Sequence, residues 1–126
     1  MGITFDFSDF DRGTEDMSKA VQNKTIDKAL DAGAKPIVKY MDRNVAVDTG
    51  VTKDSLGELR KEGSGTDRKI LLGVTSDDRD VVERAYYDEY GTELQVARHW
   101  LKKSFEQGKK EAEEAIIAKL KEELGL

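Results

Sequence analysis

The chain has 126 residues, 37% hydrophobic and 37% charged, with a formal net charge of −5 and a pI near 5.0. That length favours a single domain, 1–126, with one modest core. The acidic balance argues against a nucleic-acid binder built on a broad basic surface, and the lack of cysteine excludes disulfides, thiolate metal sites and thiol nucleophiles.

The N-terminal MGITFDFSDFDRG carries acids and no long apolar run, so it is no signal peptide. No window approaches the ~20 apolar residues of a membrane span. Asp6 stands where N-myristoylation needs Ser or Thr. The chain reads as soluble and unprocessed.

Ile3 to Phe7 alternates apolar and polar, which predicts a short strand. Asp9 to Gly13 is turn-like. Thr14 is a candidate N-cap, with Glu15 and Asp16 suited to the positive end of a helix. Met17 and Val21, then Ile26, Leu30, Gly33, Ile37, Met41 and Val45 recur every three or four residues, one apolar stripe on a long helix. Pro36 lies inside it, lacks an N–H and crowds the carbonyl of Ala32, so the spacing allows a kinked helix or two helices in series.

Asp48 to Lys53 reads as a loop. Leu56–Glu62 and Lys69–Thr75 read as strands on either side of the turn signal Gly63-Ser64-Gly65-Thr66-Asp67, together a hairpin. Ser76 to Asp80 reads as an exposed acidic turn. Residues 81–90 are open between helix, from Val82, Ala85, Tyr86 and Glu89, and strand, from Tyr86, Tyr87 and Tyr90. Gly91-Thr92 ends that element. From 97 to 124, Ala97, Leu101, Phe105, Gly108, Ala112, Ile116, Leu120 and Leu124 predict a helix about 40 Å long.

Little in this pattern carries catalysis. Val47-Asp48-Thr49-Gly50 has the Asp-Thr-Gly of an aspartic protease, whose two subunits each supply a carboxylate. That fold is all-β, however, whereas Asp48 follows some 30 residues of helical spacing, precedes Val51 rather than a small residue, and leads into the polar Thr52-Lys53-Asp54-Ser55. A turn is the better reading, with Asp bonding its own backbone and Gly supplying positive φ. His99 is the one histidine, too few for a usual zinc site or a catalytic triad. Asp77-Asp78-Arg79-Asp80 has Val82 where a calcium loop needs Gly. Gly63 to Lys69 lacks the Gly-Lys-Ser/Thr ending of a P-loop. Asp88, Glu89 and Glu93 read as a polar loop rather than a carboxylate pair. No catalytic residue, cofactor or metal is expected.

Two segments taken together carry a resemblance. The first is Val47-Asp48-Thr49-Gly50 leading to Ser55-Leu56. The second is Ala85-Tyr86-Tyr87-Asp88-Glu89-Tyr90-Gly91-Thr92, followed by Arg98-His99-Trp100-Leu101. In order and spacing they resemble the small tail-completion or head–tail joining proteins of long-tailed bacteriophages, also called neck or minor tail components. Asp48, Thr49, Gly50, Leu56, Glu89, Tyr90, Gly91, Thr92, Arg98 and Leu101 fall on that family's pattern. His99 and Trp100 stand where the family usually has Pro and Phe, and Ala46 where it usually has Pro.

The resemblance implies an α+β fold, a small antiparallel sheet packed against a long N-terminal helix and a long C-terminal helix. Those ten residues would then mark structural turns rather than a catalytic centre. It further implies a virion protein at the head–tail interface, in the host cytoplasm during assembly. There it would form a ring, commonly six-fold, between the capsid connector or head-completion protein and the tail tube or terminator protein. DNA would pass without sequence-specific binding, and the isolated chain could be a monomer. The alternative is a small adaptor or regulatory module docking through its C-terminal amphipathic helix; a protease subunit is third.

Overall fold

The computed structural model describes residues 2–6, 9–10, 23–45, 55–64, 67–94 and 96–125. Phe7, the Thr14 cap, Met17, Val21 and the whole of Asp48–Lys53 lie outside the described residues. In chain order the elements are β1 (Gly2–Phe5), α1 (Asn23–Asn44), β2 (Leu56–Glu62), β3 (Lys69–Val74), α2 (Arg79–Tyr90) and α3 (Trp100–Leu124). The architecture is α+β, a three-stranded antiparallel sheet with the two long helices packed on it.

β3 is the central strand, and its sequence explains why. Ile70, Leu72 and Val74 alternate onto one face and are all buried. β1 pairs on one side, with Ile3 opposite Leu72 and Phe5 opposite Ile70. β2 pairs on the other as the expected hairpin, with Leu56 opposite Val74. The strand expected over 3–7 runs instead over Gly2–Phe5. It stops because the Asp9 carboxylate accepts the Asp6 N–H at 2.9 Å and the Asp6 carbonyl accepts the Asp9 N–H, which closes a turn.

The register of β2 shifts between Glu58 and Arg60, so Leu59 is an extra residue, a β-bulge. Past it, Lys61 pairs opposite Ile70 on the helix-facing side, where its ammonium meets Asp31 of α1 at 2.7 Å and Glu58 at 2.6 Å. At the hairpin loop, Arg68 forks onto both carboxylate oxygens of Asp27 and donates to the Gly63 carbonyl at 2.9 Å. The hairpin is thus tied to α1 by charge as well as by its apolar face.

α1 is one helix through Pro36, not two in series. Its expected stripe is its buried face: Ile26, Leu30, Ile37 and Met41, with Val45 just past its end, are at most 2% exposed. α3 begins at Trp100, three residues later than the periodicity predicts, for a reason given below. Its stripe, Leu101, Gly108, Ala112, Ile116 and Leu120, is buried too. The two helices make the most extensive contact in the fold. They approach closely at two glycines: a Cβ on Gly33 would lie 2.8 Å from Ile116, and one on Gly108 would lie 3.0 Å from Ile37 and Tyr40. Phe5, Phe10 and Phe105 close the core beside β1, with ring centroids 5.6–6.4 Å apart.

Polar bonds also cross the helix pair, the tightest of them a clasp at Glu111. Glu111 of α3 accepts from Lys39 at 2.7 Å and from the Tyr40 hydroxyl at 2.6 Å. The Lys39 bond, and then the Tyr40 bond, hold the Glu111 carboxyl below its usual range. A carboxyl whose folded pKa is depressed contributes stability above its unfolded value and loses it as pH falls through the folded one. The melting temperature should therefore fall on acidification from the ordinary glutamate range downward, and less steeply in Glu111→Gln. Parallel acid limbs in thermal melts of the two proteins would show that the clasp adds nothing.

Candidate functional site

Residues 81–90, open between helix and strand in the sequence, are helical, and α2 starts inside the acidic turn expected over 76–80. The Asp78 side chain accepts the Asp80 N–H at 2.9 Å and so caps the helix. At the other end α2 stops because Gly91 lies at φ 79°, ψ 174°, a region essentially closed to side-chain-bearing residues. Its N–H donates to the Tyr87 carbonyl at 2.7 Å.

Glu89 lies on the buried face of α2 with Val81 and Ala85, at the i, i+4 spacing of one helical face. It is 4% exposed. The polar loop expected at Asp88, Glu89 and Glu93 is thus corrected: the first two are helical, and Glu89 is in the core. Its Oε2 accepts the Leu101 N–H at 2.8 Å and its Oε1 the Lys102 N–H at 3.2 Å. Those amides open α3 and have no partner within the helix. The His99 side chain makes no capping bond, so a carboxylate from another helix supplies the cap, at the end where the helix dipole favours negative charge.

Further bonds close the same corner. The Trp100 indole N–H donates to the Ala85 carbonyl at 2.9 Å. The N–H groups of Arg98 and His99 donate to the carbonyls of Asp88, at 2.7 Å, and Glu89, at 3.3 Å. The buried Ser104 donates to the Trp100 carbonyl at 2.5 Å and accepts from Asn44 of α1 at 3.1 Å. His99 itself sits in the left-handed region at φ 51°, which is why α3 starts only at Trp100. Proline, fixed near φ −65°, has no access to that conformation. The departure from Pro at this position therefore has a backbone consequence.

The residues singled out in the sequence fall as follows. Asp48, Thr49 and Gly50 lie outside the described residues. Leu56 opens β2, half-buried against the core. Glu89 and Leu101 meet in the buried cap, whereas Tyr90 and Arg98 are exposed. The Thr92 hydroxyl accepts the Leu94 N–H at 3.1 Å in the turn. Among the described residues no group of three or more His, Asp or Glu is placed to hold a metal, and no helix is long and apolar enough to cross a membrane.

What the sequence reading missed is the outer surface of this corner. With Val81, Ala85 and Glu89 turned inward, Tyr86, Tyr87 and Tyr90 point out, 47%, 40% and 55% exposed. Their rings form a cluster, with Tyr86 and Tyr90 centroids 4.7 Å apart. Leu94 and Val96, in the connection to α3, are 100% and 86% exposed. The signal was three tyrosines within five positions, informative only once the segment is known to be helical.

A family model described as "Bacteriophage HK97-gp10, putative tail-component" matches residues 8–91, two thirds of the chain. The chain belongs to this family. It is a family of phage tail components, not of enzymes, which removes the protease reading of Asp48. The match takes in Asp48-Thr49-Gly50 and ends at Gly91, so the Arg98–Leu101 half of the corner lies beyond it. In this tail component the two halves are nevertheless joined directly, through Glu89 and the amides of α3. No curated protein and no solved structure matches the chain.

Proposed function

We propose that this chain completes the phage tail at the head–tail junction. It does so as a ring, commonly six-fold, between the capsid connector or head-completion protein and the tail tube or terminator protein, through which the genome passes. In this reading residues 1–126 fold as one domain, and the isolated chain is a monomer that closes into a ring on its partners. The turn at Gly91-Thr92, with Glu89 and Leu101 beneath it, holds α2 and α3 at a fixed angle so that their outer surface is preorganised. Asp48-Thr49-Gly50 serves as the turn from the first helix toward the sheet.

The observation that carries this reading is the exposed cluster of Tyr86, Tyr87 and Tyr90, with Leu94 and Val96 also exposed in the connection that follows. Exposed aromatic and aliphatic side chains gathered in one patch mark protein–protein contact, and tyrosine is enriched among the residues that dominate binding energy. The net charge of −5 suits a protein that lets DNA pass without gripping its phosphates. The adaptor reading fares worse, because the apolar stripe of α3 it would dock with is buried within this chain.

The triple variant Tyr86→Ala, Tyr90→Ala, Leu94→Ser should keep the wild-type melting temperature, since those side chains are exposed. It should lower incorporation into virions by roughly tenfold or more, as expected when hot-spot residues are truncated. Counting copies per purified particle by quantitative mass spectrometry reads this directly. Normal incorporation of a stable variant would remove the patch from the assembly surface.

A further inference from the structure

A second surface lies beside the same corner. A cleft of about 130 Å³ is lined by Arg43, Asn44, Arg98, Trp100 and Lys103. Three of the five are cations in a chain of net charge −5, and among the described residues none of the three forms an ion pair. Arg43 lies 5.2 Å from the Tyr40 ring, and Arg98 and Lys103 are exposed. Among the described residues an exposed acidic feature is the corner at the start of α2, where Asp77, Asp78 and Asp80 are all exposed and the intervening Arg79 pairs with Glu83. Asp78 is engaged in capping. Among the described residues the carboxylates of Asp77 and Asp80 have no cationic partner.

The two surfaces do not pair within one chain. The Arg98 backbone is held at the Asp88 carbonyl near the end of α2, about 12 Å along that helix from Asp80 at 1.5 Å per residue, and among the described residues no ion pair joins Arg43, Arg98 or Lys103 to Asp77 or Asp80. Complementary patches at different places on one molecule make a head-to-tail contact, the kind that closes into rings.

We propose that the Arg43–Arg98–Lys103 cleft receives the Asp77–Asp80 corner of a second copy of this chain. This rests on the ring reading above and names the surfaces that would build the ring. A cleft of this volume admits one or two carboxylates, whereas DNA requires a basic surface extended along the backbone. Contacts of this kind set orientation and partner choice more than raw affinity and weaken as salt screens them. That suits a chain that stays a monomer until its partners concentrate it.

The test is a charge swap. One variant carries Arg98→Glu and Lys103→Glu, a second Asp77→Lys and Asp80→Lys, and a third all four changes. All the side chains changed are exposed, and circular dichroism melts check folding. Native mass spectrometry across a concentration series, alone and on the phage's own connector, reads assembly. Each double variant alone should associate at least roughly tenfold more weakly than wild type. The quadruple variant, and an equimolar mixture of the two doubles, should assemble again, the mixture with alternating copies.

Wild-type assembly by either double variant would overturn the proposal while leaving the ring reading intact. Wild-type protein that never closes a ring, even on the connector, would sink both. If Arg98→Glu, Lys103→Glu assembles normally but loses affinity for random-sequence duplex DNA, the cleft is a phosphate contact and the proposal is wrong.

Discussion

Replacing Glu89 with alanine is expected to destabilise the fold by about 3 kcal/mol, the range for losing hydrogen bonds to a charged group and stranding their buried partners. The change removes the acceptor for the Leu101 and Lys102 N–H groups at the start of a 25-residue helix. Glu89 is 4% exposed and Leu101 2%, so the Leu101 amide in particular would be stranded in a largely buried corner. Set against a typical total of about 5–15 kcal/mol, such a loss is large, and it should lower the melting temperature by roughly 10 °C. Glu89→Gln keeps the shape but not the charge, and its amide presents one acceptor to two donors, so it should fall between alanine and wild type. Urea denaturation with linear extrapolation measures all three proteins. A Glu89→Ala protein within about 0.5 kcal/mol of wild type, the scatter of ordinary surface changes, would mean that the cap contributes nothing. The same corner carries the exposed tyrosines, so Glu89→Ala should also reduce virion incorporation more than its stability loss explains.

The second large effect is expected at Gly108, where leucine should destabilise by about 3 kcal/mol, the upper part of the usual overpacking range. Leucine is the better helix former by nearly 1 kcal/mol, so the prediction depends wholly on packing. A Cβ there would sit 3.0 Å from Ile37 Cδ1 and Tyr40 Cδ2 and 3.3 Å from the Pro36 carbonyl oxygen. The first two can move by a rotamer change, but the carbonyl belongs to the helix backbone, and the remaining leucine atoms have no space between α1 and α3. Gly108→Ala sets the gain in helix propensity against a contact only a few tenths of an ångström too tight, and should be nearly neutral. Comparing the two variants by chemical denaturation isolates the packing term. If leucine matches alanine, the helices are not held as closely as the glycines imply.

Both effects bear on how much was legible in the sequence. The stripes Ile26–Val45 and Leu101–Leu120 could be read directly, because helical periodicity records which face is buried whatever lies against it. The hairpin was legible from Gly63-Ser64-Gly65 between two β-rich runs, and the family motifs from their order along the chain. Gly33 and Gly108 could be placed on those stripes, but nothing in the spacing said that each marks a close approach to the other helix. Residues 81–90 stayed open because Val82-Ala85-Tyr86-Glu89 and the tyrosine run satisfy two periods at once. The Glu89–Leu101 bond decided nothing locally, since its partners are twelve residues apart.

By itself, then, the sequence determined the types of the two long helices and of the hairpin, the faces those helices bury, the acidic character of the surface and membership in a phage tail-component family. These depend on periodicity, composition and short turn motifs, all local quantities. Only the tertiary structure decided that β3 is central, that α1 runs on through Pro36, and that an acidic residue in an apparently polar stretch is a buried cap. It alone turned three tyrosines outward and gathered Arg43, Arg98 and Lys103 from separate segments into one cleft. Each of those results depends on which residues distant in sequence come within a few ångströms, and one-dimensional spacing does not record that distance.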